Sequence, residues 1–199
     1  TLPSFTNVQE SSSCYCKQCK NDFEEKYSYP ICAAPADQIQ TFQEESLINF
    51  IGFMSQEVKS RGLKNAICFA PPTLSSSTPA IWHEIASAPA IDILGVTPYW
   101  GLVEEDPFTY VTKWSNEIVE LSTQHGKTAQ VWLQGFGFKR GKEVEIRLAG
   151  KAIEQSKVES VAIWGYKGCH HMSKLRSIDS IKSWDMLKEV MSNLARKKP

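Results

Sequence analysis

From Thr41 onward the sequence alternates helical and extended patterns, and that alternation restricts the chain to very few folds. Leu47, Ile48, Ile51, Met54 and Val58 recur at the three- and four-residue steps of an amphipathic helix, and Arg61-Gly62 supplies its stop. Residues 65–70, Asn-Ala-Ile-Cys-Phe-Ala, then read as a strand ended by Pro71-Pro72. Thr78-Pro79 is an N-cap with proline at the first helical position, opening a short helix over 80–86. A second strand spans 91–97, and Asp106-Pro107 caps a helix over 108–124 that His125-Gly126 stops. The third strand is 128–134, followed by a helix over 142–156, a fourth strand over 160–164 and a last amphipathic helix over 183–197.

Strands that alternate with single helices imply parallel pairing through right-handed crossovers, in a doubly wound sheet or a (β/α) barrel. The period of two inside the strands favours the barrel. Gln130, Trp132 and Gln134 share one face of the third strand, while Ala129, Val131 and Leu133 share the other. In the fourth, Ala162, Trp164 and Tyr166 oppose Val161 and Ile163. One face is aliphatic and suits a helix layer; the other carries large polar and aromatic groups, as a barrel interior does. A doubly wound sheet would be aliphatic on both faces. Gly135-Phe-Gly137 lacks the third glycine and the helix start of a dinucleotide fingerprint.

The expected fold is therefore α/β of the (β/α)8 TIM-barrel type, with only about four βα units present. Residues 41–199 form a C-terminal half-barrel and residues 1–40 a cysteine-containing segment before it. With 199 residues, against the roughly 250 of a full barrel, closure needs a missing N-terminal half-barrel or a second copy. Lys+Arg and Asp+Glu stand at 22 each, so no bulk field draws in nucleic acid or an anionic membrane. No apolar run approaches the roughly 20 residues that cross a bilayer.

Barrel chemistry is built on the loops after the strands. Three of the four loops here carry Trp or Tyr: Thr97-Pro-Tyr-Trp-Gly101, Gln134-Gly-Phe-Gly-Phe138 after Trp132, and Trp164-Gly-Tyr-Lys-Gly-Cys-His-His171. Aromatic faces there suit stacking on sugar rings, which makes Tyr99, Trp100, Gln134, Trp164, Tyr166 and His170 the candidate substrate-binding residues. Trp132 and Trp164 are read equally well as barrel filling. Glycoside hydrolysis needs two carboxyl groups. The only acidic cluster close after a strand is Glu104-Glu105-Asp106, in which Asp106 is a helix N-cap. Glu104 and Glu105 are then the catalytic candidates, against their reading as a solvated charge run. Lys167, His170 and His171 lie in the last loop and are within its reach of a site.

The run Cys14-Tyr-Cys-Lys-Gln-Cys-Lys-Asn-Asp-Phe-Glu-Glu-Lys-Tyr27 resembles the segment after the fourth strand in (β/α)-barrel glycoside hydrolases, above all the zinc-containing β-galactosidases of the retaining clan. Thr97-Pro-Tyr-Trp100, Val131-Trp-Leu-Gln134 and Ala162-Ile-Trp-Gly-Tyr166 also resemble strand ends of glycosidase-like barrels. The resemblance implies a glycoside hydrolase acting on a carbohydrate, seen as its C-terminal half, with the acid/base carboxylate upstream of Thr1. It also implies a nucleophilic Glu at the third strand end, where this chain has Gln134. A non-catalytic carbohydrate-binding barrel is the alternative, and Gln134 is its motive, because an amide is neither nucleophile nor base.

The cysteines carry an expectation of their own. Cys14, Cys16 and Cys19 match three corners of a tetrahedral thiolate zinc site, with Cys32 as the nearest fourth corner. Such zinc would be structural, since its ligands precede the βα units, and it would favour the cytoplasm. A redox Cys-x-x-Cys would want a βαβ context that Gln9-Glu-Ser-Ser-Ser13 does not provide, while disulfides stay open for a secreted chain. Cys169 beside His170-His171 is an alternative metal ligand.

Overall fold

The structure is a computed structural model that describes residues 16–74 and 79–197. Four strands, β1 (Ala66–Phe69), β2 (Ile93–Val96), β3 (Thr128–Gln134) and β4 (Ser160–Trp164), form one parallel sheet in the order β1-β2-β3-β4. Register aligns Cys68 with Gly95, Gly95 with Gln130, and Gln130 with Ser160. β3 and β4 occupy the residues that the alternation pattern assigns to them.

The helices are α1 (Lys17–Tyr27), α2 (Ala36–Ser60), α3 (Pro79–Ser87), the four-residue α4 (Trp100–Val103), α5 (Pro107–His125), α6 (Glu145–Gln155) and α7 (Ser180–Lys197). Along the sheet α2 packs on α3, α3 on α5, α5 on α6 and α6 on α7, so the flanking helices make one continuous outer layer. Strands in sequential order with right-handed crossovers keep every helix on the same face, whereas a doubly wound sheet reverses at a switch point. The molecule is thus α/β, with a four-stranded parallel sheet under one helix layer, the arrangement of a partial α/β barrel.

Local chemistry sets the ends of the elements. The Asp106 carboxylate accepts from Thr109 N at 2.8 Å and Pro107 opens α5, while Gly126, at φ 64°, caps its C-terminus. The proposed Thr78 cap lies outside the described residues. α2 begins at Ala36 rather than near Thr41, so the division between 1–40 and 41–199 falls inside a helix. Its first turns lack apolar periodicity, but Phe42 packs edge-on against Phe23 of α1 at 5.2 Å, which extends the helix backward. α1 itself is almost entirely polar and buries only Phe23, so periodicity gave no sign of it. The helix over 142–156 starts as a 3-10 turn, Lys142–Val144, before α6.

The two faces of the sheet differ as the strand pattern requires. Leu94, Val96, Ala129, Val131 and Leu133 are buried beneath the helices. Gln130 and Trp132 are only half-buried on the other face, and Cys68 is exposed there. Among the described residues no helix is long and apolar enough to cross a membrane.

Candidate functional site

The C-terminal ends of β2, β3 and β4 bring three rings into a row. Tyr99 meets Phe136 edge-on with centroids 5.1 Å apart, and Phe136 meets Trp164 in the same way at 4.7 Å. The T-shaped contacts put a positive ring edge on a negative ring face, so each ring fixes the tilt of the next. Phe136 is buried and acts as the wedge, while Tyr99 and Trp164 are partly open. Burial pushes the Tyr99 phenol well above its ordinary value, helped by nearby Cys68 and Cys169, so it stays a neutral donor and acceptor. Phe136 is absent from the sequence-derived set because a Phe between two glycines looks like loop filling; the Gly-Phe-Gly spacing was the available signal.

Below the row, the sheet's open face carries a polar ladder. Trp132 Nε1 donates to Gln130 Oε1 at 2.7 Å, and Gln130 Nε2 donates to Ser160 Oγ at 2.9 Å. Gly95 lets Trp132 and Cys68 approach its backbone, since a Cβ there would lie 3.2 Å from Cys68 Sγ and 3.4 Å from the indole. Surrounding protein pushes the Cys68 thiol up to about 12 although solvent reaches it, which leaves it protonated and unreactive at neutral pH.

Three of the expected substrate-binding residues make contacts outside this row. Trp100 is fully buried, packed on Phe138 at 5.6 Å, and its Nε1 donates to Glu145 Oε2 at 3.0 Å. The helix α4 that starts at Trp100 turns its ring into the helix layer, where no sugar can stack on it. Gln134 is also fully buried: its Oε1 accepts from Gly101 N at 3.0 Å and its Nε2 donates to Phe136 O at 2.9 Å. Both ends of the amide are engaged, so Gln134 ties the loop after β2 to the loop after β3 instead of meeting a ligand. Tyr166 is 66% exposed, and its ring lies edge-on to Trp184 of α7 at 5.1 Å. Gly165, at φ 117°, makes the turn that separates Trp164 from Tyr166.

Glu104 is exposed and ion-paired to Lys139 at 3.0 Å, and that ammonium lowers its pKa, which suits a surface carboxylate and not an acid catalyst. Glu105 is exposed next to the Asp106 cap. Further along, Glu145 joins Lys142 and Trp100, and Asp179 accepts from Lys182 N at 3.0 Å at the start of α7. Glu143, which sequence reasoning missed, is fully buried with Lys182 Nζ at 3.7 Å from one oxygen. Burying a carboxylate this deeply with one distant cation is costly, and an alternation pattern cannot show it.

The last loop holds His170 and His171 with ring centroids 3.5 Å apart. His170 is half-buried, and among the described residues its Nδ1 has no hydrogen-bond partner. The loop folds back through Ser177 N to Gly168 O at 3.0 Å and is tied to the β3 loop by Ile178 N to Phe138 O at 2.9 Å. Lys167 lies over the Tyr166 ring at 5.4 Å.

Cys14 lies outside the described residues. Cys16 caps α1, its sulfur accepting from Cys19 N at 3.5 Å, and Cys32 is exposed in the 3-10 turn Ile31–Ala33. From Cys16 onward the described part of the cysteine run caps and opens α1. Among the described residues no three His, Cys, Asp or Glu side chains gather to hold a metal, so Cys16, Cys19 and Cys32 do not by themselves make the expected zinc site. Cys169 is buried beside the histidines without completing such a group.

No protein-family model matches the sequence, and no curated protein matches it. Among solved structures, the fold resembles a crystal structure described as that of a putative alpha-L-fucosidase from Bacteroides thetaiotaomicron, with a TM-score of 0.51 and 14% identity. The match covers 75% of this chain and 52% of that one, so it spans about half of the solved chain's length. At that identity the likeness is one of fold alone, a parallel α/β arrangement.

Proposed function

We propose that this chain is glycoside hydrolase-like and that Tyr99 and Trp164, held in place by the buried Phe136 between them, form one wall of a carbohydrate site at the mouth of a (β/α)8 barrel. The aromatic row across three consecutive strand ends carries the reading: partly open ring faces of Tyr99 and Trp164, fixed edge-on through Phe136, with a phenol and an indole N–H to hydrogen-bond hydroxyls, suit a neutral sugar. The half-exposed, polar-and-aromatic inner face of the sheet supports the barrel, because parallel sheets are otherwise covered on both sides. Likeness to a structure described as an alpha-L-fucosidase supports placing α-L-fucosides first among candidate ligands.

A non-catalytic carbohydrate-binding role is the second reading, and one observation favours it. Of the acidic side chains in the loops after β2, β3 and β4, all but Glu105 are caps or ion-paired. Catalytic carboxylates would then come from outside the described residues. The test is binding of a panel of neutral glycosides headed by α-L-fucosides, followed by indole fluorescence, with hydrolysis of the chromogenic forms measured in parallel. Trp164→Ala is expected to weaken binding about two- to tenfold, since an aromatic contact is worth about 0.5–1.5 kcal/mol. Unchanged binding in that variant would sink the site, and binding without cleavage would select the second reading.

A further inference from the structure

All four histidines of the chain lie in two touching pairs, and the two pairs meet in different ways. His170 and His171 are chain neighbours with ring centroids 3.5 Å apart, so ring face meets ring face. His83 and His125 come from different helices, α3 and α5, with centroids 5.7 Å apart but His125 Nε2 only 3.5 Å from His83 Nδ1. In this second pair the nitrogens meet, at the ring edges where their in-plane lone pairs lie.

A separation of 3.5 Å is long for a hydrogen bond, since a good N–H donor comes to about 2.9–3.0 Å of its acceptor. It matches a different arrangement closely. Zinc takes imidazole nitrogens at about 2.0–2.1 Å in a tetrahedron, which sets two such ligands about 3.3–3.4 Å apart. The pair has the bite of one tetrahedral ion with almost no movement.

Its place in the fold favours a cation. His125 is the last residue of the 19-residue α5, where unpaired carbonyls give the helix end a negative partial charge. His83 is exposed and His125 half-buried, so solvent reaches the pair. Lys127, the nearest cation along the chain, is held by the Ala88 and Ile91 carbonyls at 2.9 and 2.7 Å. No third His, Cys, Asp or Glu joins the pair among the described residues, which leaves the remaining corners to water. The helix that such an ion would hold is short: α3 has nine residues, and its buried side, Ile81, Trp82, Ile85 and Ala86, leaves His83 facing solvent. Helices of that length are marginal by themselves, and Trp82 on Trp114 of α5 at 5.7 Å is the contact that the ion would reinforce.

We propose that His83 and His125 form a two-imidazole site for a zinc-class divalent cation, which clips α3 to α5 on the outer helix layer. The N–H of one ring that faces the other gives its proton to solvent as the ion binds, because each ligand nitrogen must present a lone pair. The site lies where α5 leads into the start of β3, at the opposite end of the sheet from Tyr99 and Trp164. It is independent of the carbohydrate reading and of the thiolates at Cys16, Cys19 and Cys32.

Zinc titration by calorimetry tests it by counting the ions held by the full chain, by His83→Gln, by His125→Gln and by a variant carrying both His170→Gln and His171→Gln. Each of the two single variants is expected to hold one ion fewer than the parent, and the double variant as many as the parent. Hydrogen exchange of α3 peptides should slow about tenfold or more when zinc is added to the parent, and stay unchanged by zinc in either single variant. An ion count equal to the parent's in His83→Gln or in His125→Gln would overturn the shared site, as would a loss confined to the double variant. An α3 that exchanges as fast with zinc as without it would overturn the clip.

Discussion

The two faces of one sheet follow different rules in this protein. On the outer face Leu94, Val96, Val131 and Leu133 are sealed beneath α5 and α6, and three of the six Trp residues, Trp82, Trp100 and Trp114, are buried in that layer. On the inner face Trp132 and Trp164 stand half-open among Gln130, Ser160 and Cys68. The same residue type is structural glue on one side and an available surface on the other. What separates the two is the presence of a packed neighbour, and aromatic content alone says nothing about it.

Exchanging rings between the faces should break the comparison most visibly. Trp100→Ala is expected to cost about 3–5 kcal/mol in urea unfolding, the range for emptying a packed core site. Trp132→Ala in the isolated chain should cost about 1 kcal/mol, since its ring is only partly removed from water. Equal losses would mean that the inner face is already covered.

Gln134→Glu should rank next, at about 2–3 kcal/mol of destabilisation at pH 7, because a buried carboxylate would face the Phe136 carbonyl with no proton to donate. The folded pKa of that new group would be raised, so the folded state holds more protons above the unfolded carboxyl pKa of about 4.3 and the loss grows as pH rises through it. Urea midpoints at pH 4 and pH 7 check the sign, and a variant as stable as the parent at pH 7 would show that the amide is not the tie between loops. Gly135→Ala follows at about 1–3 kcal/mol, as its Cβ would lie 2.3 Å from Leu187 Cδ1 and 2.9 Å from Trp164 O. A shift in thermal midpoint reads it directly.

The smallest effect is electrostatic. Lys59 and the Asn65 amide hold the Asp92 carboxyl below its usual range. Their contribution is full above the unfolded Asp pKa and fades as pH falls through the folded one. Asp92→Asn should remove that small contribution at neutral pH, leave stability at low pH nearly untouched and so flatten the acid limb of the stability curve; an unchanged acid limb would place the titration elsewhere.

Legibility in the sequence divided along similar lines. Thr128–Gln134 and Ser160–Trp164 were readable to the residue, because a period of two with aliphatic groups on alternate positions admits one register against a helix layer. The Asp106 cap was readable for the same local reason. The burial of Trp100 was not legible, because its position after a strand is identical for a ring facing the mouth and one turned by α4 into the core. Glu143 and Phe136 were missed because their burial depends on α7 and on the neighbouring loops, whose packing leaves no periodic trace near them.

Sequence alone determined the alternation, the parallel order it forces and the unequal faces of each strand, since these follow from backbone geometry and side-chain period within a few residues. Tertiary structure alone decided which tryptophans remain open and that Gln134 is a tie between loops. Each of those depends on contacts between residues far apart in the chain, where the packing of whole elements, not local preference, selects the outcome.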